Sequence, residues 1–403
     1  MRAVTRPADD AVSALDLNDI ARGDGFLFVR NGTGIAGRGV AARIAVEAGP
    51  TFLSSIEHVD ESGGAGSGPG GPGAGPLAIG WVPFTPGAPG ELVVPAVVVG
   101  KGPDGRRWVT TIDGADEELA PPRPPEPSAA AYRIEPVTPV EQYLEAVRTV
   151  RDAVRDGGLT KAVIAREIAV VADRPIDRHS VLQRLKASFG SSYRFAVDGF
   201  VGASPELLVE VEGPDVRSRP LAGTAPRTGD VERDAAIAEA LVASTKNQVE
   251  HRVVIDVVHD TLLPWCSYLD WEPDPSIVTV ANVQHLGTRI EGRLSSPRPS
   301  VLELVRALSP TPALGGHPRD EALELIAKVE GVERDRYGGA VGWVDAAGNG
   351  TWAVSIRCAE LSDDRCRARL HAGGGIVADS DPLAELAETQ AKFQAMLSAL
   401  IRP

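Results

Sequence analysis

Short apolar strand runs joined by glycine-containing turns recur along this 403-residue chain, and they restrict its fold more than any other feature. ELVVPAVVVG at 91–100 and RRWVTTI at 106–112 flank a Gly-Pro-Asp-Gly turn, which predicts antiparallel strands. AVGWVD and TWAVSIRCAEL flank a Gly-Asn-Gly turn, which is a second hairpin signal. Helical patterns lie between such runs. The residues alone therefore predict an α+β protein in which sheets and helices form separate layers.

Two helices have well-defined predicted starts. Thr138 is expected as the N-cap of the first, with Pro139 in its first turn and the glycines at 157–158 ending it. The second starts at Asp381-Pro382. It places three charged residues on one face, because they are separated by three and four positions: Glu385, Glu388 and Lys392.

The stretch 221–260 combines a small-residue loop with one long apolar-periodic run. Gly223 and Thr224 lie in the loop, where glycine lets backbone amides approach a ligand closely. The run that follows predicts a helix carrying Glu250 and His251. A carboxylate among apolar neighbours is costly unless it is paired or holds a metal, but from spacing alone a solvated position on the helix surface is the favoured interpretation of Glu250.

Composition excludes several classes of function. The formal net charge of −14 argues against nucleic-acid and anionic-membrane partners. No apolar run reaches the ~18 residues of a membrane span, and the acidic N-terminal segment does not fit a signal peptide. The three cysteines lack paired spacing, which disfavours a zinc site or a disulfide framework. We therefore expect a soluble cytoplasmic protein.

Seven charged residues lie in contexts that a purely structural interpretation explains poorly: Lys161, Glu206, Glu250, Arg357, Glu385, Glu388 and Lys392. Carboxylates on two helices suit a hard cation such as Mg²⁺. A buried arginine and glycine-rich loops suit a small, multiply anionic ligand. Lys161 and Glu206 also have simpler interpretations, as an exposed strand end and a solvated turn residue respectively.

Eight motifs occur in the order expected of one enzyme family. They are KAVIAR at 161–166, SPELL at 204–208, GT at 223–224, EH at 250–251, HLGT at 285–288, TPALGG at 311–316, YGG at 337–339 and GGGIVADSDP at 373–382. Together they resemble the chorismate-utilising enzymes, which include anthranilate, aminodeoxychorismate, salicylate and isochorismate synthases. The resemblance is strong from residue 136 onward. It implies a catalytic core at 136–403, with residues 1–135 as the N-terminal part of the same fold.

The resemblance implies the Mg²⁺-dependent conversion of chorismate to isochorismate, because members that use water carry a lysine where this chain has Lys161. In that reaction water adds at C2 and the C4 hydroxyl leaves. By analogy Lys161 is the general base and Glu206 the general acid, which requires a raised pKa for Glu206. Glu250 and Glu388 would bind the metal directly, and Glu385 less directly. The substrate-binding positions implied are Gly223, Thr224, His285, Ala313, Leu314, Tyr337, Arg357, Gly374, Gly375 and Lys392.

The resemblance further implies one large domain with two packed antiparallel-rich sheets and helices outside. A Gly/Pro-rich segment at 61–76 is expected to be a flexible insertion, and PPRPPEP at 121–127 an extended loop. We expect a monomer without a glutamine amidotransferase subunit. Asn247 departs from the family, since several relatives have an acid there.

Four alternatives remain. Salicylate synthase, which carries isochorismate on to salicylate and pyruvate, shares the acid, the base and the metal ligands. An ammonia-using synthase is disfavoured by Lys161. A catalytically silent chorismate-binding protein should have lost one of the catalytic residues. A zinc hydrolase built on His251, His285 and His371 has no recognisable ligand spacing.

Overall fold

The computed structural model describes residues 1–61, 73–115, 119, 129–280 and 283–402. Most of the predicted insertion at 61–76 and all of the segment 121–127 lie outside the described residues.

The described residues form twenty-five strands. In chain order they are β1 Arg2–Pro7, β2 Phe26–Arg30, β3 Thr33–Arg38, β4 Ala42–Ala45, β5 Glu57–Asp60, β6 Leu77–Val82, β7 Glu91–Val94, β8 Val97–Lys101, β9 Arg107–Ile112, β10 Tyr132–Pro136, β11 Lys161–Ala172, β12 Tyr193–Val197, β13 Phe200–Ser204, β14 Leu207–Glu212, β15 Asp215–Arg219, β16 Leu221–Pro226, β17 Cys266–Trp271, β18 Ser276–Thr279, β19 Val283–Gly287, β20 Ile290–Leu294, β21 Gly316–His317, β22 Ala340–Asp345, β23 Gly350–Val354, β24 Cys358–Leu361 and β25 Arg367–Ile376.

Ten α-helices are present in the same residues: α1 Asp10–Ser13, α2 Leu17–Ala21, α3 Gly49–Ser54, α4 Val140–Arg155, α5 Arg178–Phe189, α6 Val231–Ala243, α7 Thr245–Leu262, α8 Val301–Leu308, α9 Arg319–Val329 and α10 Pro382–Ile401. Short 3-10 turns precede α3 (Val46–Ala48) and follow α7 (Leu263–Trp265).

The strands form two large sheets and one small one. The first sheet runs β10-β11-β25-β24-β13-β12-β2-β3-β8-β9-β1-β5, with β21 paired to the start of β11. The second runs β17-β20-β15-β14-β23-β22-β6-β7-β4, and β16, β19 and β18 make the third. Among the described strand pairs β1 and β5 are parallel and the others are antiparallel. The predicted α+β class with antiparallel-rich sheets is confirmed.

One hydrophobic core joins the two large sheets. It contains side chains from the first sheet, such as Phe28 and Ile164, and from the second, such as Ile79 and Trp352. A second core fills the opposite face of the first sheet, where α2, α5 and α10 cover it; Phe393 of α10 belongs to this core. Each fully buried side chain of this size contributes about 1.5–3 kcal/mol. The N-terminal residues 1–135 supply strands to both large sheets.

Three predicted elements are wrong in their extent. ELVVPAVVVG is not one strand, because the chain leaves the second sheet after β7 and enters the first at β8, with Pro95 between them. TWAVSIRCAEL is divided in the same way into β23 and β24. The apolar pattern SIVTVANVQHLGTRIEGRL at 276–294 predicts two short strands, but the segment holds β18, β19 and β20 in two different sheets.

The predicted helical features also need correction at two places. The long run after Gly223 is two helices, α6 and α7, because Ser244 is extended and its side chain caps the second helix at Asn247. Thr138 is not the N-cap of α4: Pro139 occupies that position, and the Thr138 hydroxyl accepts a hydrogen bond from the Glu167 amide instead. The predicted start of α10 is correct, with Asp381 as its N-cap.

Candidate active site

A cavity lies where the first sheet, the small sheet, α7 and α10 meet. It is lined by Lys161, Val163, Glu206, Leu221, Ala222, Gly223, Thr224, Asn247, Glu250, His285, Ala313, Leu314, Tyr337, Ile356, Arg357, Gly373, Gly375, Glu385, Glu388 and Lys392. Fourteen of the fifteen predicted site residues are in this set. A concave, polar pocket of this kind is the expected form of a small-molecule site.

The exception among the predicted positions is Gly374. On β25 the glycines on either side of it, Gly373 and Gly375, line the cavity, because successive residues of a strand face opposite sides. A side chain on Gly374 would instead approach Glu385 Oε2 to 2.7 Å. Gly373 and Gly375 therefore line the cavity, and a substrate contact of the Gly374 backbone stays a prediction.

Lys161 is the first residue of β11, and only 3% of it is exposed, which excludes the interpretation as a solvated strand end. Its Nζ donates a hydrogen bond to Glu250 Oε1 at 2.7 Å. Gly375 makes room for this pair, because a Cβ there would lie 2.5 Å from Lys161 Cε and 2.8 Å from Glu250 Oε1. Glu250 is consequently an inward-facing carboxylate rather than a surface one.

Glu206 lies between β13 and β14, and its carboxyl is buried. Burial raises its pKa from 4.5 to about 7, although the Leu221 amide and the charges of Lys161 and Arg357 act in the opposite direction. The Leu221 amide donates to Glu206 Oε1 at 3.4 Å. Near neutral pH this carboxyl can therefore hold and release a proton, as a general acid must.

His285 connects the small sheet to Arg357. The Arg357 guanidinium donates to His285 Nε2 at 3.3 Å, and since arginine can only donate, Nε2 accepts. The proton of the neutral ring is then on Nδ1, which lies 3.3 Å from the Gly223 carbonyl and 3.1 Å from Thr224 Oγ1. Burial and the neighbouring Arg357 and Lys392 charges hold the pKa of His285 well below its ordinary value.

Arg357 occupies the crossover from β23 to β24 rather than the interior of a strand. Its φ of 51° is in the left-handed region, which is uncommon for a residue with a side chain. Such backbone strain persists where the surrounding structure enforces it, often at functional sites. Burial lowers the pKa of Arg357, but arginine remains charged in proteins.

α10 contributes three charged side chains to the cavity. Lys392 Nζ is 2.6 Å from Glu388 Oε1 and donates to the Gly373 carbonyl at 2.7 Å. Glu385 is buried, and its Oε1 accepts a hydrogen bond from Ser380 Oγ at 2.8 Å. The predicted common face of these residues is therefore the face that α10 turns toward the cavity.

The carboxylates of Glu250, Glu385 and Glu388 supply the oxygen donors that Mg²⁺ prefers. Glu250 and Glu388 are each neutralised by a lysine. Within the described part of the chain, no three His, Cys, Asp or Glu side chains are grouped closely enough to hold a metal ion. Glu250 and Glu388 are the lining carboxylates that could hold a cation, and water and substrate would then have to supply the remaining oxygens.

Sequence reasoning missed five lining residues: Val163, Leu221, Ala222, Ile356 and Gly373. All five are apolar or glycine and carry no chemical signal of their own, and Ile356 in addition is at a crossover that the strand pattern does not show. Asn247, noted as a departure from the family, also lines the cavity. A Cβ added at Gly223 would come within 3.2 Å of Asn247 Oδ1.

The three histidines of the zinc alternative are engaged separately. His251 Nε2 is 2.8 Å from Thr288 Oγ1, whereas His371 Nε2 is 3.3 Å from Glu167 Oε2 and stacks on Tyr337. His285 lies on the small sheet beside Arg357. No helix in the described residues is both long enough and apolar enough to cross a membrane.

Comparisons with known proteins are consistent among themselves. The family model described as chorismate binding enzyme matches residues 93–401. The isochorismate synthase DhbC of Bacillus subtilis is 38% identical over 336 residues, which cover 81% of each chain. MenF of Mycobacterium tuberculosis, a predicted isochorismate synthase, is 43% identical over 343 residues, which cover 81% of this chain and 87% of MenF.

A solved structure extends the similarity to nearly the whole chain. The crystal structure of DhbC from Bacillus anthracis, a predicted 2,3-dihydroxybenzoate-specific isochorismate synthase, superimposes with a TM-score of 0.79 and 32% sequence identity. The match covers 95% of this chain and 98% of that one.

Proposed function

The chain belongs to the chorismate-binding enzyme family, and we propose that it is an isochorismate synthase, an isomerase that converts chorismate to isochorismate. One observation carries the proposal. A buried lysine and a buried carboxyl with a pKa of about 7, Lys161 and Glu206, line the same cavity. A base and an acid of this kind are what the exchange of a hydroxyl group between two ring carbons requires.

Cations in the cavity suit the two carboxylates of chorismate. Arg357 and Lys392 are cationic, Lys161 has to be neutral to act as the base, and with Glu206 protonated three other lining carboxylates remain, those of Glu250, Glu385 and Glu388. The lining charge is then close to −1, so a bound divalent cation would make the site net positive, as a dianionic substrate requires. This balance supports the proposal of Mg²⁺ as the cofactor. Bound by Glu250 and Glu388, Mg²⁺ would hold the ring carboxylate and draw electron density from the ring.

In the proposed reaction each of these residues has a separate role. Lys161, as the neutral amine, removes a proton from the water that adds at C2. Glu206 donates its proton to the C4 hydroxyl, which leaves as water while the ring double bonds shift. Arg357 and Lys392 bind the carboxylates, and His285 orients Arg357. One water enters and one leaves, so the product is an isomer of the substrate.

Lys161 also indicates whether a second subunit is needed to supply the nucleophile. Because the proposed nucleophile is water, no glutamine amidotransferase subunit is needed to supply ammonia, and we propose that the chain acts alone as a monomer. We propose further that isochorismate from this enzyme enters siderophore or menaquinone synthesis.

Incubation of the protein with chorismate and Mg²⁺, followed by chromatographic separation of products, tests the proposal. Isochorismate as the sole product supports it. Accumulation of salicylate and pyruvate would assign the chain to salicylate synthase instead. Absence of turnover by a folded protein that still binds chorismate would make it a silent binding protein.

A further inference from the structure

A buried ion pair lies directly behind the cavity wall. Glu330 follows the last residue of α9, and Arg334 is four residues later; each side chain is 2% exposed. Arg334 Nε donates to Glu330 Oε2 at 2.8 Å, and one of its terminal nitrogens contacts Glu330 Oε1. Neither residue lines the cavity.

Burial of such a pair is weak evidence that it stabilises the fold. Removal of two charges from water costs free energy that their attraction does not reliably return, and a well-packed apolar pair is often as stable. A buried pair that provides little net stability calls for another explanation, and its remaining hydrogen bonds supply one.

Every remaining hydrogen bond of Arg334 that the structure shows ends on a residue of the cavity wall. One terminal nitrogen donates to the Leu314 carbonyl at 2.7 Å, and the other donates to the Val163 carbonyl at 2.7 Å. The Arg334 carbonyl accepts from the Tyr337 amide at 2.8 Å. Val163, Leu314 and Tyr337 come from β11, the loop before β21 and the segment before β22, and all three line the cavity.

Glu330 completes the connection to β11. Its Oε1 accepts a hydrogen bond from the Ala165 amide at 2.7 Å. The pair therefore binds two backbone groups of β11, the Val163 carbonyl and the Ala165 amide, in the strand that begins at Lys161. The centroid of the Phe84 ring lies 4.2 Å from the Arg334 guanidinium carbon, so the ring covers one face of the guanidinium. The planar guanidinium is therefore fixed in one orientation, which a flexible lysine ammonium could not reproduce.

We propose that Glu330 and Arg334 act together as a positioning pair for this active site, by fixing the wall formed by Val163, Leu314 and Tyr337 relative to Lys161. The inference rests on the proposed function, since it assigns the pair to that chemistry. A displacement of about 1 Å in a reacting group can lower a rate about 100-fold, so a pair without substrate contact can control turnover.

The decisive comparison uses the double variant Glu330→Gln/Arg334→Met. Removing both charges avoids a buried unpaired charge, so the melting temperature of the double variant should recover most of what Arg334→Met alone loses. If the pair positions the wall, kcat for chorismate should remain about 100-fold below wild type, with KM changed less than about threefold, because Arg357 and Lys392 are intact. Amide hydrogen exchange in a peptide covering 311–317 should be faster than in wild type.

A matched control is available on α9. Lys328 and Glu324 form an ion pair with the same four-residue separation, but both side chains are exposed. Glu324→Gln/Lys328→Met should leave kcat, KM and exchange at 311–317 unchanged.

A double variant with a recovered melting temperature and kcat within about twofold of wild type would overturn the proposal. If the double variant does not fold, Arg334→Lys decides, because it keeps the charge but cannot bridge both carbonyls; wild-type kcat in that variant would equally contradict the inference. If the wild-type protein does not turn over chorismate, the proposed function is refuted, which is a different outcome. The exchange measurement would still test the positioning contact in that case: equal exchange at 311–317 in the double variant and in wild type would refute it.

Discussion

The Glu206 carboxyl shows how one residue's environment can set its chemistry. Pro205 before it and the two leucines after it indicate a turn next to buried positions, so a raised pKa could be expected from the sequence. Complete burial of the carboxyl could not be expected from the sequence, because it depends on β16 passing close enough for the Leu221 amide to reach the carboxyl. Contacts between residues distant in sequence are not encoded in local pattern.

The raised pKa of Glu206 predicts a pH-dependent cost to stability. Its folded-state pKa of about 7 exceeds the ordinary 4.5, so the folded protein favours the protonated carboxyl. The free energy of unfolding is therefore unaffected by Glu206 below about pH 4.5, and it falls as the pH rises through about 7. Glu206→Gln should therefore be more stable than wild type at pH 8, by up to roughly 3 kcal/mol, and equal to it at low pH. Urea unfolding of both proteins across pH measures the difference.

The same variant should lose about 10²- to 10⁴-fold in kcat, because an amide cannot donate the proton. In the wild type, kcat/KM should fall with increasing pH above about 7, because it reports the free enzyme, in which Glu206 must be protonated to act as the acid. A Glu206→Gln protein with near-normal kcat, or a stability difference that does not change with pH, would contradict the assignment.

Lys161→Ala tests the proposed base. Turnover should fall by about 10²- to 10⁴-fold, whereas Mg²⁺-dependent binding of chorismate should remain measurable by calorimetry. The exposed Lys328→Ala is the matched control, since that side chain is 71% exposed and does not line the cavity. Near-full activity in Lys161→Ala would show that another group removes the proton.

Gly375→Ala tests whether the wall beside Lys161 has to be a glycine. The added methyl would approach Lys161 Cε to 2.5 Å and Glu250 Oε1 to 2.8 Å, so the pair must move. We expect a cost of about 1–3 kcal/mol in stability and a loss of most activity. Gly158→Ala, where the nearest atom is 3.6 Å away, should change neither quantity. Normal activity in Gly375→Ala would show that the position of the pair is not critical.

At the scale of elements, helices were predicted more accurately than strands. The start of α10 has a local signal, Asp381 before Pro382, and the structure agrees. The run TWAVSIRCAEL has the composition of one strand, but the chain changes sheet at Arg357. Strand propensity shows that a residue fits a half-buried pleated surface, but it does not specify to which sheet the residue belongs. The same limit explains why the pattern at 91–100 predicts a single strand where the structure has β7 and β8.

The capping box of α8 offers a test that is independent of catalysis. Ser300 accepts from the Leu302 amide, and the Glu303 side chain accepts from the Ser300 amide. Ser300→Ala should lower the free energy of unfolding by about 1 kcal/mol. Because no residue of α8 lines the cavity, kcat should not change. A loss of activity without a loss of stability would place α8 in the catalytic machinery.

At the scale of the whole molecule, the cavity exists because distant parts of the chain converge. Lys161 begins a strand of the first sheet, Thr224 and His285 belong to the small sheet, and Glu388 comes from the last helix. Hairpin signals predicted the α+β class, but not the order of strands within sheets, since strand pairing across long separations leaves no local trace. The family resemblance implies two packed antiparallel-rich sheets with helices outside but no strand order, and the similarity to the solved structure of DhbC agrees with that architecture.

The central claim is that this cavity adds water at C2 of chorismate and releases the C4 hydroxyl. Turnover in heavy-oxygen water, followed by mass spectrometry of the product, tests it most directly. We predict that isochorismate formed early in the reaction contains one heavy oxygen atom per molecule, located at C2, and that Lys161→Ala forms no labelled product above background. Isochorismate that carries no label would show that the hydroxyl moves within the substrate, and it would contradict the roles assigned to Lys161 and Glu206.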